Sequence, residues 1–187
     1  MSLPRGVRFV LREIVVPLSL AIVLALTIQA TIAKPYEIPT ASMDPTILPH
    51  DRVLSNRVVY HVRDIRRGDI IVFDPPASLH SAVPFVKRVV GLPRETIEVR
   101  GRQVWINDRP LREDYPVFRQ DLPDTLLNGL TSRRFGPYPI PAGHYFMMGD
   151  NRDNSNDSRF WGRLAESRIR GKAMVIFWPP SRIRVIH

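Results

Sequence analysis

Thr96-Ile97-Glu98-Val99-Arg100-Gly101-Arg102-Gln103-Val104-Trp105-Ile106 contains two short β-type runs, Thr96–Arg100 and Gln103–Ile106, which pair through a turn at Gly101. Similar runs lie on either side. Arg52–Tyr60, Asp69–Phe73 and Val83–Val90 precede the pair, and Tyr145–Met148 and Lys172–Trp178 follow it. Strands at this spacing predict an all-β sandwich or barrel. The 18 prolines among 187 residues punctuate the chain at short intervals and disfavour long helices. Hydrophobic residues make up 44%, enough for one cored domain plus a short appendage. Residues 112–138 carry Pro116, Pro123, Asn128-Gly129 and Gly136-Pro137 without periodicity, and are read as a surface insertion.

The appendage is N-terminal. Ile14–Ala33 is a 20-residue stretch without a charge, broken only by the polar Ser19, Thr27, Gln29 and Thr31. A helix of that length rises about 30 Å, the thickness of a hydrocarbon core. Pro17 sits in its first turn, where a missing N–H costs least. Arg5, Arg8 and Arg12 precede it against Glu13 alone, so residues 1–13 are expected in the cytoplasm and residues 34–187 across the membrane. A cleaved signal peptide is the competing reading, with Thr31-Ile32-Ala33 as its cleavage site, but the apolar run exceeds the usual length of such a region.

The net charge of +9 suits an anionic membrane surface or nucleic acid and does not choose between them. With no cysteine, disulfides and Cys-based zinc sites are excluded. His50, His61, His80, His144 and His187 show no metal-ligand spacing and read as surface residues.

Three clusters can carry chemistry. In Ile38-Pro39-Thr40-Ala41-Ser42-Met43-Asp44-Pro45-Thr46, Ser42 between two prolines reads by itself as a turn residue. Two details favour more. Ser42 lies nine residues beyond Ala33, within about 30 Å of the membrane exit even when extended. Thr40 also places a second hydroxyl two residues earlier. In Phe85-Val86-Lys87-Arg88-Val89-Val90, Lys87 is either an edge-strand lysine or a desolvated amine whose lowered pKa lets it take a proton from a serine. Arg88 stays protonated and cannot do so. The third cluster, Gly149–Gly162, is dense in Asp, Asn, Ser and Arg. An EF-hand register beginning at Asp153 fails, because Ser158 and Leu164 replace the required Gly and Glu. The loop reads either as solvated or as a hydrogen-bonded network holding a catalytic side chain.

In this order behind an apolar segment, these clusters resemble bacterial type I signal peptidase (leader peptidase). The resemblance covers most of residues 13–178. It rests on Ile38–Thr46, Arg67-Gly68-Asp69 through Phe73, Lys87–Pro93 and, most specifically, Gly149–Gly162. It implies a mostly β, signal-peptidase-like catalytic domain with one N-terminal transmembrane helix. It also implies a Ser/Lys dyad, with Ser42 as nucleophile and Lys87 as general base. Thr40 and the Ser42 N–H match the oxyanion donors, and Ser155 matches a residue that orients the lysine. Asp157 and Arg159 match a supporting ion pair. Asp150, Arg152, Asp153 and Asn154 match structural positions of the same box. Ile38, Pro39, Met43, Ile47, Phe85 and Val86 are expected to line shallow pockets for small residues at −1 and −3 of a signal peptide, with Tyr36 beside an extended substrate.

The expected partners are preprotein signal peptides, the phospholipid membrane and the secretion translocon, without nucleic acid, metal or cofactor. The expected location is the cell membrane, single-pass, with the catalytic domain extracytoplasmic. Arg94-Glu95 replaces the family's frequent Gly-Asp, and since Arg does not easily take positive φ the turn there is expected to differ. The competing functions are a membrane-tethered basic binding module and another Ser/Lys-clan processing peptidase.

Overall fold

A computed structural model of the chain describes residues 4–118 and 134–186. The chain divides into two compact units, Met1–Lys34 and Pro35–His187.

In the first unit, helix α1 (Arg5–Val10), a π-helical turn (Leu11–Val15) and helix α2 (Val16–Ile32) follow one another directly. The expected span over Ile14–Ala33 therefore differs at both ends. Ile14 and Val15 lie in the π turn, and Ala33 opens strand β1 (Ala33–Glu37). Helix α2 has 17 residues, and among the described residues no helix is by itself long and apolar enough to cross a membrane. Its Leu18, Leu20 and Val23 are exposed, while the Ser19 hydroxyl donates back to the Val16 carbonyl at 2.9 Å, which hides the one polar group on that turn.

The second unit is mostly β. Strands β2 (Arg52–Asn56), β3 (Ile70–Phe73), β4 (Phe85–Gly91), β9 (His144–Met148), β10 (Leu164–Ala165), β11 (Ile169–Trp178) and β12 (Arg184–Val185) join β1 in one sheet. Among the described residues its order is β1-β2-β11-β3-β4-β9-β10, with β12 also paired to β11. Strands β5 (Thr96–Arg100), β6 (Gln103–Ile106), β7 (Arg109–Pro110) and β8 (Arg134–Pro139) form a smaller sheet in the order β7-β6-β5-β8.

The two sheets read differently in sequence because they are covered differently. β3 is Ile-Ile-Val-Phe and buried throughout, as a central strand covered on both faces must be. β5 and β6 alternate instead. Ile97, Val99, Val104 and Ile106 are buried, while Glu98 and Trp105 are half-exposed, the pattern of a sheet with one solvated face. The hairpin at Gly101 takes the expected register, with Arg100 opposite Gln103.

Three departures from expectation have local causes. The run after β2 stops at Asn56 because its side-chain carbonyl accepts from the Val58 and Val59 N–H groups, at 2.9 and 3.0 Å. This starts the short helix α3 (Val59–Val62) in place of more strand. The surface insertion expected over 112–138 is structured at both flanks. Arg134–Pro139 is β8, paired with β5, and Val117 bridges Asn151. Residues 119–133 lie outside the described part. Finally, Arg94 holds φ +68° despite its side chain. Its N–H donates to the Ile140 carbonyl at 2.8 Å. One Glu95 carboxylate oxygen accepts from the Leu92 N–H at 2.7 Å and the other pairs with Arg67 at 2.5 Å. The carboxylate closes the turn, which offsets the backbone strain at Arg94.

Gly91 ends β4, where the strand meets the packing of the small sheet. A Cβ there would stand 2.4 Å from Ile140 Cδ1 and 2.9 Å from Phe146 Cβ. Both neighbours belong to a buried cluster with Ile97 and Val104. Gly91→Ala is expected to cost about 1–3 kcal/mol by overpacking, measured as a lowered urea midpoint with an unchanged slope.

Candidate active site

The Ser42 turn is fastened from below and from one side. Thr40 is extended at φ −127°, and Ala41–Met43 form a 3₁₀ turn. Met43 and Ile47 are fully buried in a core cluster with Ile38, Val72 and Val86, which draws the turn onto the large sheet. The Asn151 N–H donates to the Ser42 carbonyl at 3.1 Å, and its side-chain amide donates to the Ala41 carbonyl at 3.2 Å. Ser42 itself is buried.

Lys87 reaches this turn from the middle of β4. The edge-lysine reading is excluded, because β4 pairs with β3 on one side and β9 on the other. Lys87 Nζ lies 2.5 Å from Ser42 Oγ and 3.2 Å from the Val86 carbonyl. Thr40 Oγ1 lies 3.2 Å from the same Ser42 Oγ. Lys87 is 4% exposed. Burial pushes its amine down to about 8, against the upward pull of Asp157 and Asp150 and with a further downward push from Arg159. An amine so placed is neutral in a useful fraction near neutral pH and can accept a hydroxyl proton.

The loop after β9 supplies the surroundings. The Asp150 carboxylate takes Arg88 Nε and Nη2 at 2.8 and 2.7 Å and the Thr46 hydroxyl at 2.6 Å. Arg88 and Asp150 are both buried, so this fork-to-fork pair joins β4 to the loop in a low-dielectric setting. Asp157 caps helix α4 (Ser158–Trp161). It pairs with Arg159 Nε and Nη2, both at 2.9 Å, and accepts from the Gly149 N–H at 3.0 Å. Burial acts to raise the Asp157 pKa, but Arg159 and these hydrogen bonds outweigh it and hold the carboxyl below its usual range. Gly149 admits no side chain: a Cβ would meet Ser155 Oγ at 2.3 Å and the Ser42 carbonyl at 2.4 Å.

Lys87 and Ser42 share a cleft of about 410 Å³ lined also by Ile38, Pro39, Thr40, Phe85, Val86 and Asn154. Eight of the residues expected from sequence thus line one cleft. Met43 and Ile47 are a correction: they are fully buried in the core behind the wall and support the pockets without lining them. Tyr36 packs against the same core and does not line the cleft. Asp153 is buried in the loop. Ser155 is buried beside Gly149, and its hydroxyl is among the groups that hold the Asp157 carboxyl below its usual range, while Lys87 Nζ itself is met by Ser42 and the Val86 carbonyl. Sequence reading missed Ser81, Val83, Pro84 and Asn156 on the cleft wall. It also missed Arg88 as the partner of Asp150. A second cation beside Lys87 in an apolar strand, with an acidic loop later in the chain, was the available signal for that pair.

The family model described as signal peptidase, peptidase S26, matches residues 11–178. A signal peptidase I of Leptolyngbya laminosa is 42% identical over 92% of this chain and 82% of that protein. A probable signal peptidase I-1 of a Synechocystis strain is 38% identical over 92% and 85%. Signal peptidase I of Bacillus licheniformis is 36% identical over 88% and 87%. The matched span takes in the Ser42 turn, the Lys87 strand and the whole 149–162 loop, and on that breadth of similarity the chain belongs to the signal peptidase family, peptidase S26.

Proposed function

We propose that this chain is a membrane-bound serine endopeptidase that removes N-terminal signal peptides from preproteins, with Ser42 as nucleophile and Lys87 as general base. The observation that carries the reading is the 2.5 Å contact between Lys87 Nζ and Ser42 Oγ. Neutral Lys87 takes the Oγ proton as Ser42 attacks the scissile carbonyl. The negative charge that develops on the carbonyl oxygen is met by the Ser42 N–H and the Thr40 hydroxyl. The tetrahedral adduct collapses as the amine leaves with the proton held by Lys87. Water then gives a proton to Lys87 and attacks the acyl ester, and as the adduct collapses Lys87 returns that proton to the departing Ser42 Oγ. Ile38, Phe85 and Val86 wall the cleft beside Ser42. Apolar walls this close reject large side chains by overlap, which suits small residues at −1 and −3.

The membrane anchor is part of the same reading. The uncharged run Ile14–Ala33 is 20 residues long, and the helical segments succeed one another from Arg5 to Ile32. Helix α2 alone rises about 26 Å, so the π turn and the flanking residues are needed to reach a hydrocarbon core of about 30 Å. Arg5, Arg8 and Arg12 favour a cytoplasmic N-terminus, which leaves residues 34–187 extracytoplasmic in a single-pass arrangement. Lipid and the secretion translocon are the partners this placement implies.

Cleavage of a preprotein in detergent or lipid is expected to fall at least about a thousandfold in Ser42→Ala and in Lys87→Ala. Undiminished cleavage by either variant sinks the dyad. Lys87→Arg is equally inactive, whereas a charge-driven binding module tolerates it. The kcat/KM of the wild type rises with pH through about 8 as Lys87 loses its proton.

The same amine affects stability. Its folded pKa of about 8 lies below the unfolded value of 10.5, so between those pH values the unfolded chain holds the extra proton and stability rises with pH. Lys87→Met abolishes that rise and, with no buried ammonium to accommodate, melts above the wild type at pH 7. For the anchor, the full chain is expected to resist carbonate extraction from membranes, and a chain lacking residues 1–33 to be released. Release of the full chain refutes the anchor.

A further inference from the structure

The Asn151 backbone is bonded along both edges. On one edge its N–H donates to the Ser42 carbonyl at 3.1 Å. On the other, the flanking Asp150 carbonyl accepts from the Val117 N–H at 2.8 Å, and the Arg152 N–H donates to the Val117 carbonyl at 2.9 Å. Residues 150–152 are therefore a short rib between the Ser42 turn and the segment 113–117, whose side chains close the arrangement. Glu113 takes Arg152 Nη1 and Nη2 at 3.1 and 2.6 Å, and the side chains of both are at most 4% exposed. The Tyr115 hydroxyl donates to the same Glu113 carboxylate at 2.7 Å. The Tyr115 ring stacks on the Arg88 guanidinium at 4.0 Å, with Arg152 at 5.9 Å. Arg152 in turn reaches the Gly149 carbonyl through Nε at 3.1 Å.

We propose that Glu113 and Tyr115 are positioning residues for the reaction: they lock the 150–152 rib, and through it fix the Ser42 turn against Lys87. This rests on the Ser42/Lys87 reading. A surface flank with no such duty has no physical reason to bury a carboxylate against a buried arginine, since breaking such a pair leaves an uncompensated charge. The rib transmits displacement because the peptide joining Asp150 and Asn151 is held from both sides, its N–H by the Ser42 carbonyl and its carbonyl by the Val117 N–H. A shift of the rib moves the Ser42 carbonyl, and misplacement of a nucleophile by about 1 Å can cost on the order of a hundredfold in rate. The lock also bears on charge. Lys87 is faced by Asp157 and Asp150 and by Arg159. Arg152 interacts with both Glu113 and Asp157. Neutralising Glu113 leaves the Arg152 charge without its carboxylate, which makes the surroundings of Lys87 more positive and lets its proton leave at lower pH.

The test is Glu113→Gln and Tyr115→Phe, measured on a signal-peptide substrate for kcat, KM and the pH profile, and by hydrogen exchange at the Asn151 and Arg152 amides without substrate. Glu113→Gln is expected to lower kcat at least about tenfold with KM within about twofold. Its acidic limb moves to lower pH, and exchange at both amides speeds up. Tyr115→Phe, which keeps the ring on Arg88, shifts the same quantities less. Glu113→Asp recovers the limb but only part of kcat.

A wild-type kcat and limb in Glu113→Gln overturn the proposal, as does a fall in kcat with neither a moved limb nor faster exchange. If Glu113→Gln does not fold, Tyr115→Phe decides in the same way. Failure of the dyad is separate: Ser42→Ala and Lys87→Ala then cleave, while the exchange measurement still reports on the rib.

Discussion

One amine kept from water inside a sheet organises this protein. Lys87 sits on β4, between β3 and β9, and its Nζ meets Ser42 Oγ at 2.5 Å. A buried ammonium is costly, and the surroundings determine how far its pKa falls. Desolvation lowers it. The buried carboxylates Asp150 and Asp157 limit the fall, and each is itself held by an arginine, Arg88 and Arg159. The amine is thus left partly neutral near pH 8 while Asp150 and Asp157 stay paired with Arg88 and Arg159.

That charge balance depends on backbone geometry as much as on side chains. Gly149 lets the loop pass within van der Waals limits of both Ser42 and Ser155. The Gly149 N–H binds Asp157, and the Asn151 N–H binds the Ser42 carbonyl. The core residues Met43 and Ile47 secure the turn from beneath. The Ser42 turn, the Lys87 strand and the loop after β9 come from three distant stretches of chain, yet they form one hydrogen-bonded block. The segment before residue 119 belongs to that block through Val117, Glu113 and Tyr115.

Expectation and structure part where interactions are non-local. The β5–β6 hairpin and the apolar run of β3 were readable because period and turn chemistry act within a few residues. The stop after Asn56 was not, since an Asn side chain capping two N–H groups leaves no hydrophobic signature. β8 reads as part of an insertion because its Arg-Phe-Gly-Pro-Tyr-Pro sequence lacks strand character. It is a strand only because β5 presents an edge to it. Arg94 is expected to alter its turn, yet Glu95 and Arg67 close that turn with the Arg94 backbone in the left-handed region.

The mostly β character, the uncharged N-terminal run and the residue types able to carry acyl transfer are legible in the chain alone. These follow from local pattern and from side-chain chemistry. Tertiary structure alone decided that Lys87 is central and buried, that Met43 and Ile47 lie behind the cleft wall, and that Ser81, Val83, Pro84 and Asn156 line it. It also decided which arginine serves which carboxylate. Pairing across dozens of residues is set by strand order and by burial, and neither leaves a periodic trace along the chain.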